Sequence, residues 1–280
     1  MYSGRCCEAP VSGSLVICPL GCFSVILEAM HILVTNDDGV TAPGLLALAQ
    51  AVRDFGQVTV LAPDRNWSAS GHVKTLRRPL RVSKTTLADG TPALASDGAP
   101  SDCVALGMLG LAEGGVDLVV SGINPLSNLG HDVTYSGTVT AAMEAVIGGV
   151  PGLAFSLDSR TEAVTFAAAT EIARQVVATV LEHGLPAGLL LNVNIPDRPV
   201  AAIKGTRITR QGQRVYRDQL LERKDPRGEP YYWIGGEEPG GVVEDGTDFG
   251  ALADGFVSIT PLHLDLTAYQ QAQVLANWNW

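Results

Sequence analysis

The sequence predicts an α/β fold, a doubly wound sandwich built on a mostly parallel sheet. Three observations predict it. Short runs of continuous apolar residues recur along the chain, stretches of helical periodicity separate them, and turn-forming clusters close the runs. Strands that are apolar on both faces need cover on both sides, and a helix between successive strands is what a parallel connection requires.

Residues 31–35 (HILVT) make the first strand and end in the turn Asn36-Asp37-Asp38-Gly39. Pro43 suits the first turn of a helix, with Thr41 as its expected N-cap, running through Leu45, Leu48, Ala49 and Val52. Residues 58–62 (VTVLA) form the second strand, stopped by Pro63-Asp64-Arg65-Asn66. Residues 79–86 and 91–95 read as short strands around the turn Ala88-Asp89-Gly90. A helix over 100–111 precedes a buried strand at 117–121 (DLVVS). A loop containing glycine and asparagine then leads to a helix over 138–147 and a strand at 152–156 (GLAFS). The longest helix spans 162–183 and is capped by Gly184, and a further strand covers 189–195. Residues 202–250 read as hairpins projecting from the sandwich, with turns at Asp225-Pro226-Arg227-Gly228 and Gly235-Gly236. Segments 255–260 and 266–275 return to the core or embrace another subunit.

Composition narrows the function. The 280 residues are 46% hydrophobic and only 17% charged, which excludes a disordered chain. With 19 Lys+Arg against 29 Asp+Glu, the net charge of −10 argues against a nucleic-acid polymer as a stable partner. Four of the five cysteines, Cys6, Cys7, Cys18 and Cys22, lie near the start, leaving Cys103 alone in the body. A body with one thiol reads as a protein of a reducing compartment, so a cytoplasmic location is expected. The apolar patch at 15–27 is too short to span a bilayer and is broken by Pro19 and Gly21. Residues 1–29 are therefore expected to lie outside the fold as a non-native or disordered extension, with Met30 heading a single domain over 30–280.

In a parallel sheet the loops leaving the strand carboxyl ends share one rim. Asp37 and Asp38 leave the first strand, Ser68 follows the second, and Asn124 follows the strand at 117–121. Two carboxylates, a hydroxyl and an amide are hard oxygen donors, suited to one divalent ion such as Mg²⁺ or Mn²⁺. Taken singly these are ordinary turn and capping residues; their coincidence at one rim carries the metal reading. The segment Tyr135-Ser136-Gly137-Thr138 opens a helix beside them, and free backbone N–H groups there form an anion cradle. An N-cap role for Ser136 or Thr138 is compatible with that reading. The cradle is not a P-loop, since no lysine follows Thr138. His72 and His131 lie in rim loops, where a structural hydrogen bond is the commoner use than proton donation. Glu144 is read as a solvated or helix-packing residue. Tyr231, Tyr232 and Trp233 read as subunit-interface residues, with stacking on a base as the alternative. A non-catalytic nucleotide-binding protein and a covalent aspartyl-phosphate enzyme stay open, although the latter needs D-x-D where residue 39 is glycine.

The segments ILVTNDDGVTAPG (32–44), VTVLAPDRNWSASGH (58–72), SDGAPSDCVALG (96–107) and VVSGINPLSNLGHDVTYSGTVTAAMEA (119–145) resemble the SurE survival proteins. So do LNVNIP (191–196), DPRGEPYYWI (225–234) and GFVSITPLHLDLT (255–267). The resemblance departs at Pro125-Leu126-Ser127, where a glycine or charged residue is common, and this leaves the orientation of Asn128 open. It implies a Rossmann-like domain and a metal-dependent 5′/3′-nucleotidase acting on nucleoside monophosphates. It also implies Asp37, Asp38, Ser68 and Asn124 as metal ligands, with Asp37 and Asp38 catalytic. The implied phosphate site is Asn124, Ser136, Gly137 and Thr138. Residues 202–280 would carry the hairpin and tail that build a homodimer or homotetramer.

Overall fold

A computed structural model describes residues 30–159, 161, 163–237 and 239–280. The expectation for residues 1–29 lies outside these described residues. The strands are β1 (His31–Thr35), β2 (Gln57–Pro63), β3 (Val82–Thr86), β4 (Pro92–Ser96), β5 (Leu118–Asn124), β6 (Gly152–Asp158) and β7 (Leu189–Pro196). They continue with β8 (Thr206–Ile208), β9 (Arg214–Val215), β10 (Asp218–Lys224), β11 (Pro230–Gly236), β12 (Gly240–Gly241) and β13 (Val257–His263). The helices are α1 (Pro43–Val52), α2 (Pro100–Leu106), α3 (Gly137–Ile147), α4 (Ala167–His183), α5 (Asp248–Ala253) and α6 (Tyr269–Leu275).

Nine strands form the main sheet in the order β3-β4-β2-β1-β5-β6-β7-β13-β8. The run from β4 to β7 is parallel, while β3 at one end and the β13–β8 pair at the other run against it. The doubly wound expectation is met, with antiparallel edges. Segment 255–260 does return to the core, as β13 beside β7, with Ser258 opposite Asn194.

Alternation along each strand explains the two layers. Ile32, Val34, Leu118, Val120 and Phe155 pack with α1 and α4, through Leu45, Leu48, Val176 and Val177. Leu33, Leu61 and Val119 point the other way, onto Cys103 and Val104 of α2 and Ala141 and Ala145 of α3. Phe155 is fully buried and contributes roughly 1.5–3 kcal/mol by leaving water.

Helix ends differ from expectation in instructive ways. The N-cap of α1 is Ala42, not Thr41, and makes no side-chain cap bond. The Ala42 N–H is instead used in the turn, donating to Gly39 O at 3.0 Å, and Pro43 has no N–H to satisfy. The helix expected over 100–111 is α-helical over Pro100–Leu106 and widens into a π-helical segment over Gly107–Leu111, kinked at Gly110 with φ +131°. The expected start of α4 at 162 moves to Ala167, while Gly184 caps it as anticipated, its N–H donating to Val180 O. The hairpin β10–β11 turns at Asp225-Pro226-Arg227-Gly228, with Gly228 N–H donating to Asp225 O at 3.0 Å. Gly235-Gly236 falls inside β11 and makes no turn of its own.

From β1 the chain crosses to β2 on one side, and from β5 it crosses to β6 on the other. A crevice therefore opens at the carboxyl ends of β1 and β5, the switch point where α/β sheets bind ligands. Among the described residues no helix is long and apolar enough to cross a membrane.

Candidate metal centre and phosphate cradle

Asn36 closes the turn after β1 with its own side chain. Its Oδ1 accepts from Gly39 N–H at 3.2 Å and its Nδ2 donates to Gly39 O at 3.0 Å. Gly39 sits at φ +101°, a conformation that favours glycine, and a Cβ there would meet Arg65 C at 3.1 Å. The turn fixes where Asp37 and Asp38 point. The Ser68 loop is tied to this turn: Trp67 N–H donates to Asp37 O at 2.7 Å, and Asn66 Nδ2 reaches Asp38 Oδ1 at 3.4 Å. Asn66 Oδ1 in turn accepts from Ser68 N–H at 2.7 Å, leaving Ser68 exposed at the rim. Asn124 ends β5, the neighbour of β1, and its Nδ2 donates to Leu126 O at 2.5 Å.

The α3 N-terminus abuts the aspartate pair. Ser136 is the N-cap, accepting from Val139 N–H at 3.2 Å. Thr138 donates its hydroxyl to Asp37 Oδ1 at 2.6 Å and is fully buried. The Thr138 hydroxyl is thus committed to holding Asp37, a contact that sequence reading did not foresee. A Cβ on Gly137 would lie 2.6 Å from Asp37 Cβ and 3.0 Å from its Oδ2, so only glycine lets the helix approach this closely.

Burial raises the Asp37 carboxyl above its ordinary range, partly offset by the Thr138 hydroxyl and by the backbone N–H groups of Thr138 and Gly137. Burial, and then the charge of Asp37, push Asp38 up to about 6. The side-chain partners of the pair, Thr138 and Asn66, are neutral. Two carboxylates held together without a compensating charge suit a cation, and the all-oxygen set with Ser68 and Asn124 suits a hard one. Among the described residues no group of three or more His, Cys, Asp or Glu could hold a metal, so such a centre depends on the hydroxyl and the amide.

Other rim residues are more tightly engaged than expected. Glu144 is neither solvated nor a simple packing residue. It is buried, with Lys74 Nζ at 2.7 Å from Oε1 and His72 Nε2 at 3.0 Å from Oε2. The signal was present in the sequence: Glu144 is the one charged residue of α3, and a lone charge in an apolar helix needs a partner. His131 lies exposed in the short turn Gly130–Thr134. Asn128 is buried and fixed: its N–H donates to Asn194 Oδ1 at 2.8 Å, its Nδ2 to Ser156 Oγ at 2.8 Å, and its carbonyl accepts from Asn192 and Asn194. Tyr231, Tyr232 and Trp233 stand exposed on β11.

Fold and site define the class: a doubly wound α/β protein that presents paired carboxylates beside a helix N-terminus at its switch point. The family model for Survival protein SurE matches residues 32–218. The chain is 53% identical over 252 residues to the protein named 5′-nucleotidase SurE from Herpetosiphon aurantiacus, covering 90% of this chain and 99% of that one. It is 52% identical over 252 residues to 5′-nucleotidase SurE from Chloroflexus aggregans, covering 90% and 100% respectively. The crystal structure of the SurE protein from Aquifex aeolicus matches with a TM-score of 0.77 at 45% identity, over 88% of this chain and 98% of that one. The chain belongs to the SurE family.

Proposed function

We propose that this chain is a divalent-metal-dependent phosphatase that converts nucleoside 5′-monophosphates, and 3′-monophosphates, to nucleoside and inorganic phosphate. Nucleotidase activity follows from family membership and from relatives of that name at about half identity over nearly their whole length. One observation carries the metal dependence. The buried Asp37 carboxylate is wedged between Asp38 and the α3 N-terminus, with its proton affinity raised.

Asp37, Asp38, the Ser68 hydroxyl and the Asn124 amide oxygen would hold one Mg²⁺ or Mn²⁺. When bound, such an ion polarises a phosphoryl group and lowers the pKa of water. The rest is the work of the chain. With its amide nitrogen donating to Leu126, Asn124 has its oxygen left to meet a cation or, on repositioning, its amide to meet phosphate. The positive end of the α3 dipole, at Ser136, Gly137 and Thr138, would face phosphoryl oxygens as charge spreads over them, although the Ser136 N–H is donated to Asp132 O at 3.0 Å and those of Gly137 and Thr138 face Asp37. One of the two aspartates would orient the attacking water, and the lesser burial of Asp38 favours it for that role. The hairpin β10–β11 leaves Leu220, Leu221, Trp233 and Ile234 exposed, and the tail leaves Leu266, Tyr269 and Trp280 exposed. A lone two-stranded hairpin is marginal in water, so these segments suit a homodimer or homotetramer of a cytoplasmic protein.

The test is a divalent-metal screen against AMP, GMP, CMP, UMP and their 3′ isomers, with a chelator as control. Phosphate release that requires Mg²⁺ or Mn²⁺ supports the reading. Tight nucleotide binding without turnover under every metal overturns it.

A further inference from the structure

Segment 71–75, which continues the Ser68 loop, is stapled onto the far side of the site by two buried carboxylates. Glu144 takes Lys74 at 2.7 Å and His72 at 3.0 Å. Asp102 accepts from Thr75 N–H at 2.8 Å and from Thr75 Oγ1 at 2.7 Å. The backbone is caught as well, since Gly71 N–H donates to Tyr135 O at 2.9 Å and Thr140 Oγ1 donates to Gly71 O at 3.1 Å. At its other end the same loop is pinned by Trp67 N–H to Asp37 O. Ser68 itself is exposed, and its side chain makes no hydrogen bond among the described residues.

The two anchors differ in kind. Asp102 also closes the first turn of α2 by accepting from Ala99 N–H at 2.9 Å, so its loss would damage the helix. Glu144 makes side-chain hydrogen bonds to loop residues alone. It lies on α3, whose first turn carries Gly137 and Thr138 against Asp37. One rigid helix therefore sets the aspartate at its start and the loop near its end.

We infer that Glu144 is a positioning residue: through Lys74 and His72 it registers the Ser68 loop against Asp37 and Asp38, and so sets the affinity of the metal centre. The inference rests on the proposed metal site. Groups that orient a ligand without touching the ion commonly govern affinity by about 10–100-fold. Glu144 is two turns from the cradle and contributes no ligand atom, so its loss leaves all four donors in place. The deficit is then one of loop population, which excess metal recovers.

The experiment compares the unsubstituted protein with Glu144→Gln, which keeps the shape, and Lys74→Gln, whose side chain is half exposed and whose fold is under little threat. Mn²⁺ binding is measured by calorimetry, amide exchange across 66–75 by mass spectrometry, and phosphate release at rising Mn²⁺. Glu144→Gln is expected to weaken Mn²⁺ binding about tenfold or more and to speed exchange in 66–75. At saturating Mn²⁺ its kcat returns towards the unsubstituted value. Lys74→Gln shifts both readouts in the same direction, and the double substitution adds little to Glu144→Gln, since the two act as one unit. Unchanged Mn²⁺ affinity with unchanged exchange overturns the inference. So does a kcat loss that saturating metal fails to recover, or faster exchange spread over the whole sheet. Failure of the unsubstituted protein to take up Mn²⁺ sinks the metal reading, and the exchange arm then decides whether Glu144 holds the loop.

Discussion

Replacing Gly137 with alanine should separate activity from stability. The new Cβ would stand 2.6 Å from Asp37 Cβ and 3.0 Å from Asp37 Oδ2. Carbon atoms pack comfortably at about 3.5–4.0 Å, so either Asp37 or the first turn of α3 must give by about 1 Å. Overpacking of that kind costs roughly 1–3 kcal/mol. Gly137 is the first helical residue of α3, where the interior preference for alanine over glycine, about 0.5–1 kcal/mol, largely does not apply. The net destabilisation is therefore about 1–3 kcal/mol, roughly ten degrees or less in thermal midpoint for a chain of this size. Turnover should suffer far more, because a displacement near 1 Å at a reacting centre costs about 100-fold. Scanning calorimetry and phosphate release from AMP at saturating Mn²⁺ are run on the same preparation. Turnover retained within about twofold would refute the claim that close approach of α3 to Asp37 matters.

The metal-free protein should lose stability as pH rises. The Asp38 carboxyl moves from 3.8 to about 6 on folding, so its proton is held more tightly in the fold and the stabilisation is complete only in acid. That stability is lost as pH climbs through about 6, by roughly 1–3 kcal/mol after allowing for water around the group. Asp37 acts in the same direction. Urea unfolding from acid to neutral pH in chelator measures this, and Asp38→Asn should flatten the curve. Thr138→Val removes the 2.6 Å bond to Asp37 and should weaken Mn²⁺ binding about tenfold with helix content intact, read by calorimetry and circular dichroism. Asn194→Ala strands the N–H of buried Asn128, whose carbonyl keeps its bond from Asn192, and should cost about 1–3 kcal/mol in chemical denaturation; a change within error would show that the network is not structural.

Much of this was legible in the sequence, for local reasons. The apolar runs of β1, β2, β5, β6 and β7 announce buried parallel strands, and Ser136 announces the start of α3 by its side-chain oxygen. Asp37, Asp38, Ser68 and Asn124 all follow strand carboxyl ends that a parallel sheet gathers at one rim, and the fold sets β2, β1 and β5 side by side. What escaped was long-range pairing. The Thr138 hydroxyl meets Asp37 across 101 positions, and Lys74 meets Glu144 across 70. Nothing in local propensity encodes either contact. Thr41 is a reasonable cap by residue type, yet the turn at Gly39 moves the N-cap one residue on, to Ala42. The helix expected over 100–111 is present but changes character after Leu106, widening to a π-helical segment kinked at Gly110, a change that local propensity does not encode.

Under the proposed function, four oxygen-bearing side chains from three loops at the switch point would grip a single divalent ion. Mn²⁺ uptake tests it most directly, measured by calorimetry on the metal-stripped chain and on Asp37→Asn, Asp38→Asn, Ser68→Ala and Asn124→Ala. The account predicts one ion per chain, lost in both aspartate variants and weakened in the other two. Uptake of undiminished affinity by either aspartate variant would contradict it.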